Sequence, residues 1–183
     1  MRWDDVKPLF DTENYGALPD VVMEGTGVED WQLLLDLIRD RGWKSEYVRD
    51  GESFPLPSAV DLIAEGADNA LLKVWPVPEI LAIFRAYSAE SIDFDVDLRE
   101  LQGQERLDVL VGFLTAIGRR LGRSVLMYPE GSDHDPVLGS TPEPGGSCCW
   151  LRTSRGGGVW RLLTFLAAAP PSLVGRRAFV KGL

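Results

Sequence analysis

The chain reads as an α+β fold: a mixed, mainly antiparallel sheet covered on one face by two helices. Three observations predict it. Apolar residues recur at helical period in two stretches only, around 28–41 and 107–121, and several short apolar runs have strand character. The runs at 71–77, 80–86 and 91–98 follow one another with no helical stretch between them, which disfavours the strict strand–helix alternation of a parallel sheet. With 183 residues, 45% hydrophobic and 26% charged, the chain suits one globular domain with a terminal appendage, and wholesale disorder is excluded.

The elements follow in order. Val21, Val22 and Met23 form a short strand, and Gly25-Thr26-Gly27 breaks it. Thr26 and Glu29 have capping-box spacing, after which Trp31, Leu34, Leu35 and Ile38 keep helical period until Gly42, a residue suited to a left-handed cap. Trp43, Ser45 and Tyr47 then alternate with Lys44, Glu46 and Val48 as a strand that ends at Arg49-Asp50-Gly51. Pro55-Leu56-Pro57 is a loop, and Ser58 caps a short helix running through Ile63. The runs 71–77 and 80–86 make a hairpin whose connection Pro76-Val77-Pro78-Glu79 is bounded by prolines. A strand over 91–98 precedes a long helix with Leu107, Leu110, Val111, Leu114, Ile117 and Leu121 on one stripe, and 125–128 closes the body as a strand. Arg119 and Arg120 fall in the last helical turn, where cations complement the helix dipole.

Charge divides the chain more sharply than hydropathy does. All 28 acidic residues lie at or before Glu143, so residues 1–143 carry −15 and residues 144–183 carry +6. The reading is therefore a single acidic α+β domain over 1–143 and a basic Gly/Ala/Arg/Pro-rich tail over 144–183. That tail is either a basic segment, disordered or docked on the acidic body or on an anionic partner, or the product of a shifted reading frame in GC-rich DNA, whose codons favour those four residues. A net charge of −9 opposes a sequence-independent nucleic-acid binder, because such a surface repels phosphates. The start at Met1-Arg2-Trp3-Asp4-Asp5 has neither a basic nor an apolar leader, no long apolar span occurs, and Cys148 and Cys149 are adjacent. These features lead us to expect a cytoplasmic protein with no membrane contact, no disulfide framework and no cofactor.

Two clusters are candidates for function. In 92–98, Ile92, Phe94, Val96 and Leu98 alternate with Asp93, Asp95 and Asp97, so a strand there carries an acidic ladder on one face, with Glu100 adjoining. Such a row is either the solvated face of an amphipathic strand or a surface for a basic partner. It is not a calcium loop, since Leu98 stands at the position a glycine must fill and Gln104 where glutamate is needed. Asp95-x-Asp97 resembles the first motif of haloacid-dehalogenase-type phosphohydrolases, but Asp93 interrupts the apolar run that the motif requires. Further on, Glu130, Asp133, His134 and Asp135 form a carboxylate-rich loop with the chain's single histidine. An enzymatic alternative groups Asp95, Asp97, Glu130 and His134 around a metal as a metal-dependent hydrolase. No glycine-rich phosphate loop, nucleophile elbow or His-Glu-x-x-His motif is present.

A small acidic body with an acidic strand face and no catalytic constellation resembles the immunity proteins that bacteria carry against their own toxins. The resemblance is to that class as a whole, with no aligned motif. It implies a non-enzymatic binding module that neutralises a basic protein partner such as a nuclease-type toxin, with Asp93, Asp95, Asp97 and Glu100 as the partner-facing patch. Opposed charge would speed encounter and add specificity.

Overall fold

In the computed structural model, which describes residues 1–66, 68, 70–143, 146–152 and 160–164, the strands join into one antiparallel sheet. The elements are α1 (Trp3–Val6), a 3-10 turn (Lys7–Phe10), α2 (Thr12–Tyr15), β1 (Asp20–Glu24), α3 (Val28–Arg41), β2 (Lys44–Arg49), β3 (Glu52–Phe54) and α4 (Ala59–Glu65). Then come β4 (Ala70–Val77), β5 (Ile80–Arg85), β6 (Ser91–Val96), a 3-10 turn (Leu98–Glu100), α5 (Gln104–Leu121), β7 (Val125–Tyr128), β8 (Leu138–Glu143), β9 (Gly146–Arg152) and β10 (Trp160–Thr164). The strand order is β10-β9-β8-β7-β1-β6-β5-β4-β2-β3, so β1, first in sequence, sits in the middle between β7 and β6. The protein is an α+β fold. Every described strand pairing is antiparallel, as a sheet built from hairpins and long returns permits.

Both long helices lie where their apolar periodicity places them. Helix α3 ends at Gly42, whose φ of 64° is the left-handed conformation that spares glycine a steric cost. Its start differs from the sequence expectation. Gly27 is the N-cap and donates its backbone N–H to Asp30 (3.0 Å), while the Thr26 hydroxyl donates to Ala89 O across the loop. Trp31 is fully buried, and its indole N–H reaches Ser88 O and Ser91 O, tying α3 to the start of β6. From α5, Phe113 packs edge-on against Phe84 and Phe94, and Trp43 closes on Phe113 at 4.8 Å.

Strand alternation then sorts the sheet into two faces. Val21, Met23, Leu72, Val74, Ala82, Phe84, Ile92, Phe94 and Val96 point into the helix-covered core. Their sequence neighbours point to the opposite face, which none of the long helices covers. The segment before β1, which has no clear periodicity, forms short turns fastened by side chains elsewhere. Gln104 accepts from Trp3 N and donates to Met1 O, Gln102 donates to Phe10 O, and the Trp3 ring packs at a tilt 5.2 Å from Phe10.

Of the basic stretch after Glu143, residues 146–152 and 160–164 are β9 and β10, and β9 pairs with β8 in register from Leu138↔Leu151 to Glu143↔Gly146. The remainder of 144–183 lies outside the described residues.

Candidate functional site

The uncovered face is concave where β7, β1, β6 and β5 lie side by side, and a groove of about 730 Å³ opens there. Register fixes what lines it. Tyr128, Asp20, Asp95 and Ile83 stand in one row across the four strands, and Leu126, Val22, Asp93 and Arg85 stand in the next. Neighbours within a row are roughly 5 Å apart at Cβ, and the rows are separated by about 7 Å of strand rise. The lining includes Asp20, Glu24, Asp93, Asp95, Glu130 and Asp133, with Arg85 as the one cation among them. Leu18 and Tyr87, at 41% and 65% exposure, stand on the rim.

Like charges this close must be compensated. Arg85 forms a salt bridge with Asp95, whose side chain keeps only 16% of its exposure. Asp93, half-buried, is left with the hydroxyl of Ser91 (2.5 Å). Burial, then the charges of Asp95 and Glu24, push its carboxyl above the ordinary range despite that hydrogen bond. Asp20 is raised in the same way, first by burial and then by Asp95 and Glu130, although the Gly131 N–H (3.3 Å) counteracts it. Tyr128 at the end of the row is raised by burial, with Glu24 and Asp133 adding to the effect. The floor thus holds more carboxylates than its own cation can neutralise.

One wall is built by Glu130. Its carboxylate accepts from Ala17 N (2.7 Å) and Leu18 N (3.1 Å), while its own N–H donates to Tyr15 O. This clasp needs Gly16, because a Cβ there would stand 2.3 Å from Glu130 Cβ and the φ of 76° disfavours any side chain. The loop below α2 is therefore closed by a glycine and a carboxylate 114 residues apart in sequence.

The ladder read from 92–98 is shorter in the structure. Asp93 and Asp95 line the groove, but β6 closes at Val96, and Asp97 becomes the N-cap of the 3-10 turn, accepting from Arg99 N (2.9 Å). Its carboxylate is gripped by the Arg99 guanidinium at 2.6–3.0 Å and held below the ordinary range by it. Glu100 also turns inward, accepting from Leu81 N (2.9 Å) at the start of β5. An Asx turn wins over strand continuation at 97 because the aspartate can satisfy the next N–H groups itself.

The four residues grouped around a metal in the enzymatic alternative are not gathered. Asp95 and Glu130 line the groove, Asp97 is engaged by Arg99, and His134 stands 85% exposed beside Asp133. Among the described residues, no group of three or more His, Cys, Asp or Glu is placed to hold a metal ion. Cys148 and Cys149 lie on β9.

No family model matches the chain, and a search of the curated proteins found no match. The site must therefore be read from its own chemistry. Sequence reasoning missed Asp20, Glu24, Arg85 and Tyr128. Extending the 21–23 strand by one residue at each end would have put Asp20 and Glu24 on the polar face, but nothing local reveals that β1 lies beside β6. No described helix is long and apolar enough to cross a membrane.

Proposed function

We propose that this chain is a cytoplasmic, non-enzymatic binding module of immunity type, which neutralises a basic protein partner such as a nuclease-type toxin by presenting the uncovered sheet face to it. The observation that carries this reading is the groove floor, where Asp20, Asp93 and Asp95 meet a single arginine. A rigid sheet holds these carboxylates in place before encounter, so the ordering cost of binding is already met and their field can steer a cationic surface. The exposed rim residues Leu18 and Tyr87 supply the apolar contact that charge alone does not provide. Asp97 and Glu100 support the patch from beside it, through the turn that ends β6.

The test needs a basic toxin-like protein as the partner, sought first in the gene directly upstream. Wild-type protein should bind stoichiometrically and suppress toxicity in cells, and Asp93→Asn with Asp95→Asn should slow association about tenfold at low salt, with the difference shrinking as salt screens it. Association that is unchanged in the double variant would remove this face from the interface. Metal-dependent hydrolysis abolished by His134→Ala would replace the reading with the enzymatic one.

A further inference from the structure

The chemistry of the partner group can be narrowed, on the assumption that the basic-partner reading holds. We propose that the groove seats one arginine side chain of the partner, with its guanidinium against Asp93 and Asp20, the two floor aspartates that Arg85 does not pair.

Three features of the uncovered face point to a guanidinium in preference to an ammonium. First, this floor already holds one, since Arg85 reaches diagonally from its position opposite Asp93 to Asp95. Second, Asp93 and Asp20 sit on adjacent antiparallel strands at diagonal positions, about 7–8 Å apart along the backbone. A planar fork with several fixed donors can bridge carboxylates so arranged, whereas an ammonium is a compact point charge. Third, tyrosines flank the acidic floor: Tyr128 lies directly across from Asp20, and Tyr87 stands on the rim beyond Arg85. Aromatic faces stack on guanidinium planes. At about 730 Å³ the groove has ample room for such a side chain, and two of the four exposed large hydrophobics among the described residues, Leu18 and Tyr87, are at its edge.

The test is an NMR titration of the full chain with acetyl-Gly-Arg-Gly-amide, alongside peptides carrying lysine or the neutral isostere citrulline. The arginine peptide should shift the amides of Val22, Asp93 and Asp95, bind about fivefold or more tighter than the lysine peptide, and leave citrulline without saturable binding. Asp93→Asn should weaken the arginine peptide about tenfold or more, and Arg85→Gln should tighten it by freeing Asp95. A merely structural disturbance would not produce these opposite signs. Equal affinity for arginine and lysine would overturn the guanidinium assignment and leave the basic-partner reading standing. An arginine peptide that binds equally well to Asp93→Asn, or does not bind in the groove at all, overturns the assignment too, and toxin association then judges the broader reading by itself. If Arg85→Gln fails to fold, the Asp93→Asn and citrulline comparisons decide alone.

Discussion

The two faces of the sheet are built by the same strands yet obey different rules. On β6, Ile92, Phe94 and Val96 are at most 1% exposed and packed under the helices, whereas Asp93 and Asp95 between them face the groove. The covered face is held by area: rings and aliphatic chains fill the space under α3 and α5, and each loss there leaves a cavity. The other face is covered by no long helix and is only partly buried, and the carboxylates it carries are strained by that partial burial and by one another. The difference teaches that one alternating sequence can stabilise a protein through half of its residues and gather like charge with the other half.

The largest expected effect breaks the covered face. Phe94→Ala removes a ring that lies 4.4 Å from Phe84 and 5.7 Å from Phe113, and should cost about 3–5 kcal/mol in urea unfolding. Asp93→Asn on the opposite face should show no such loss, and a comparable loss there would mean that the faces are not distinct.

A smaller effect should come from the wall of the groove. Gly16 has φ 76° and ψ 173°, a conformation essentially reserved for glycine, and a Cβ would collide with Glu130. Gly16→Ala should therefore cost about 1–3 kcal/mol and release the Ala17 and Leu18 N–H groups from the carboxylate. Amide hydrogen exchange at 17 and 18 should rise in this variant while the amides of β4 stay protected. Uniform acceleration across the sheet would show that Gly16 supports the whole fold instead of the groove alone.

These two faces were not equally legible in the sequence. The covered face could be read because periodicity is local: the 28–41 helix and its Gly42 stop, the stripe from Leu107 to Leu121 and the alternation in 92–96 each lie within one stretch. The groove depends on pairing between distant segments. Asp20 meets Asp95, and Glu130 meets Ala17, only because β1 enters between β6 and β7, and no periodicity encodes that neighbourhood. The turns at 3–15 were equally hidden, since helices of four residues are far below the length that stands without tertiary support, here supplied by Gln102 and Gln104. Asp97 marks a third limit: alternation continues through it, but its own side chain ends the strand.

The smallest effects sharpen the comparison most, because they have opposite signs within one short segment. The carboxyl of Asp93 is raised by burial and by Asp95 and Glu24, so the fold favours its protonated form. Its contribution to stability is complete below the unfolded value of 3.8 and is lost as pH rises through the folded value. Asp93→Asn should thus stabilise the protein at pH 7, by up to about 1 kcal/mol, the scale of a cross-strand charge pair, and the gain should shrink as pH is lowered toward 4. Asp97 is lowered by Arg99, so its contribution is present above 3.8 and is lost as pH falls through the folded value. Asp97→Ala should destabilise at pH 7, and that deficit should also shrink toward acid. Melting temperatures of both variants and the wild type from pH 2.5 to 7.5 give the comparison, with the Asp93 curve converging above 3.8 and the Asp97 curve only below it. Two curves on opposite sides of the wild type, converging at low pH, fit a strained groove beside a satisfied turn. A loss of stability in Asp93→Asn at pH 7 would mean that the ionised carboxylate is held by the fold and does not strain it, and the charge excess on which the proposed binding rests would be gone.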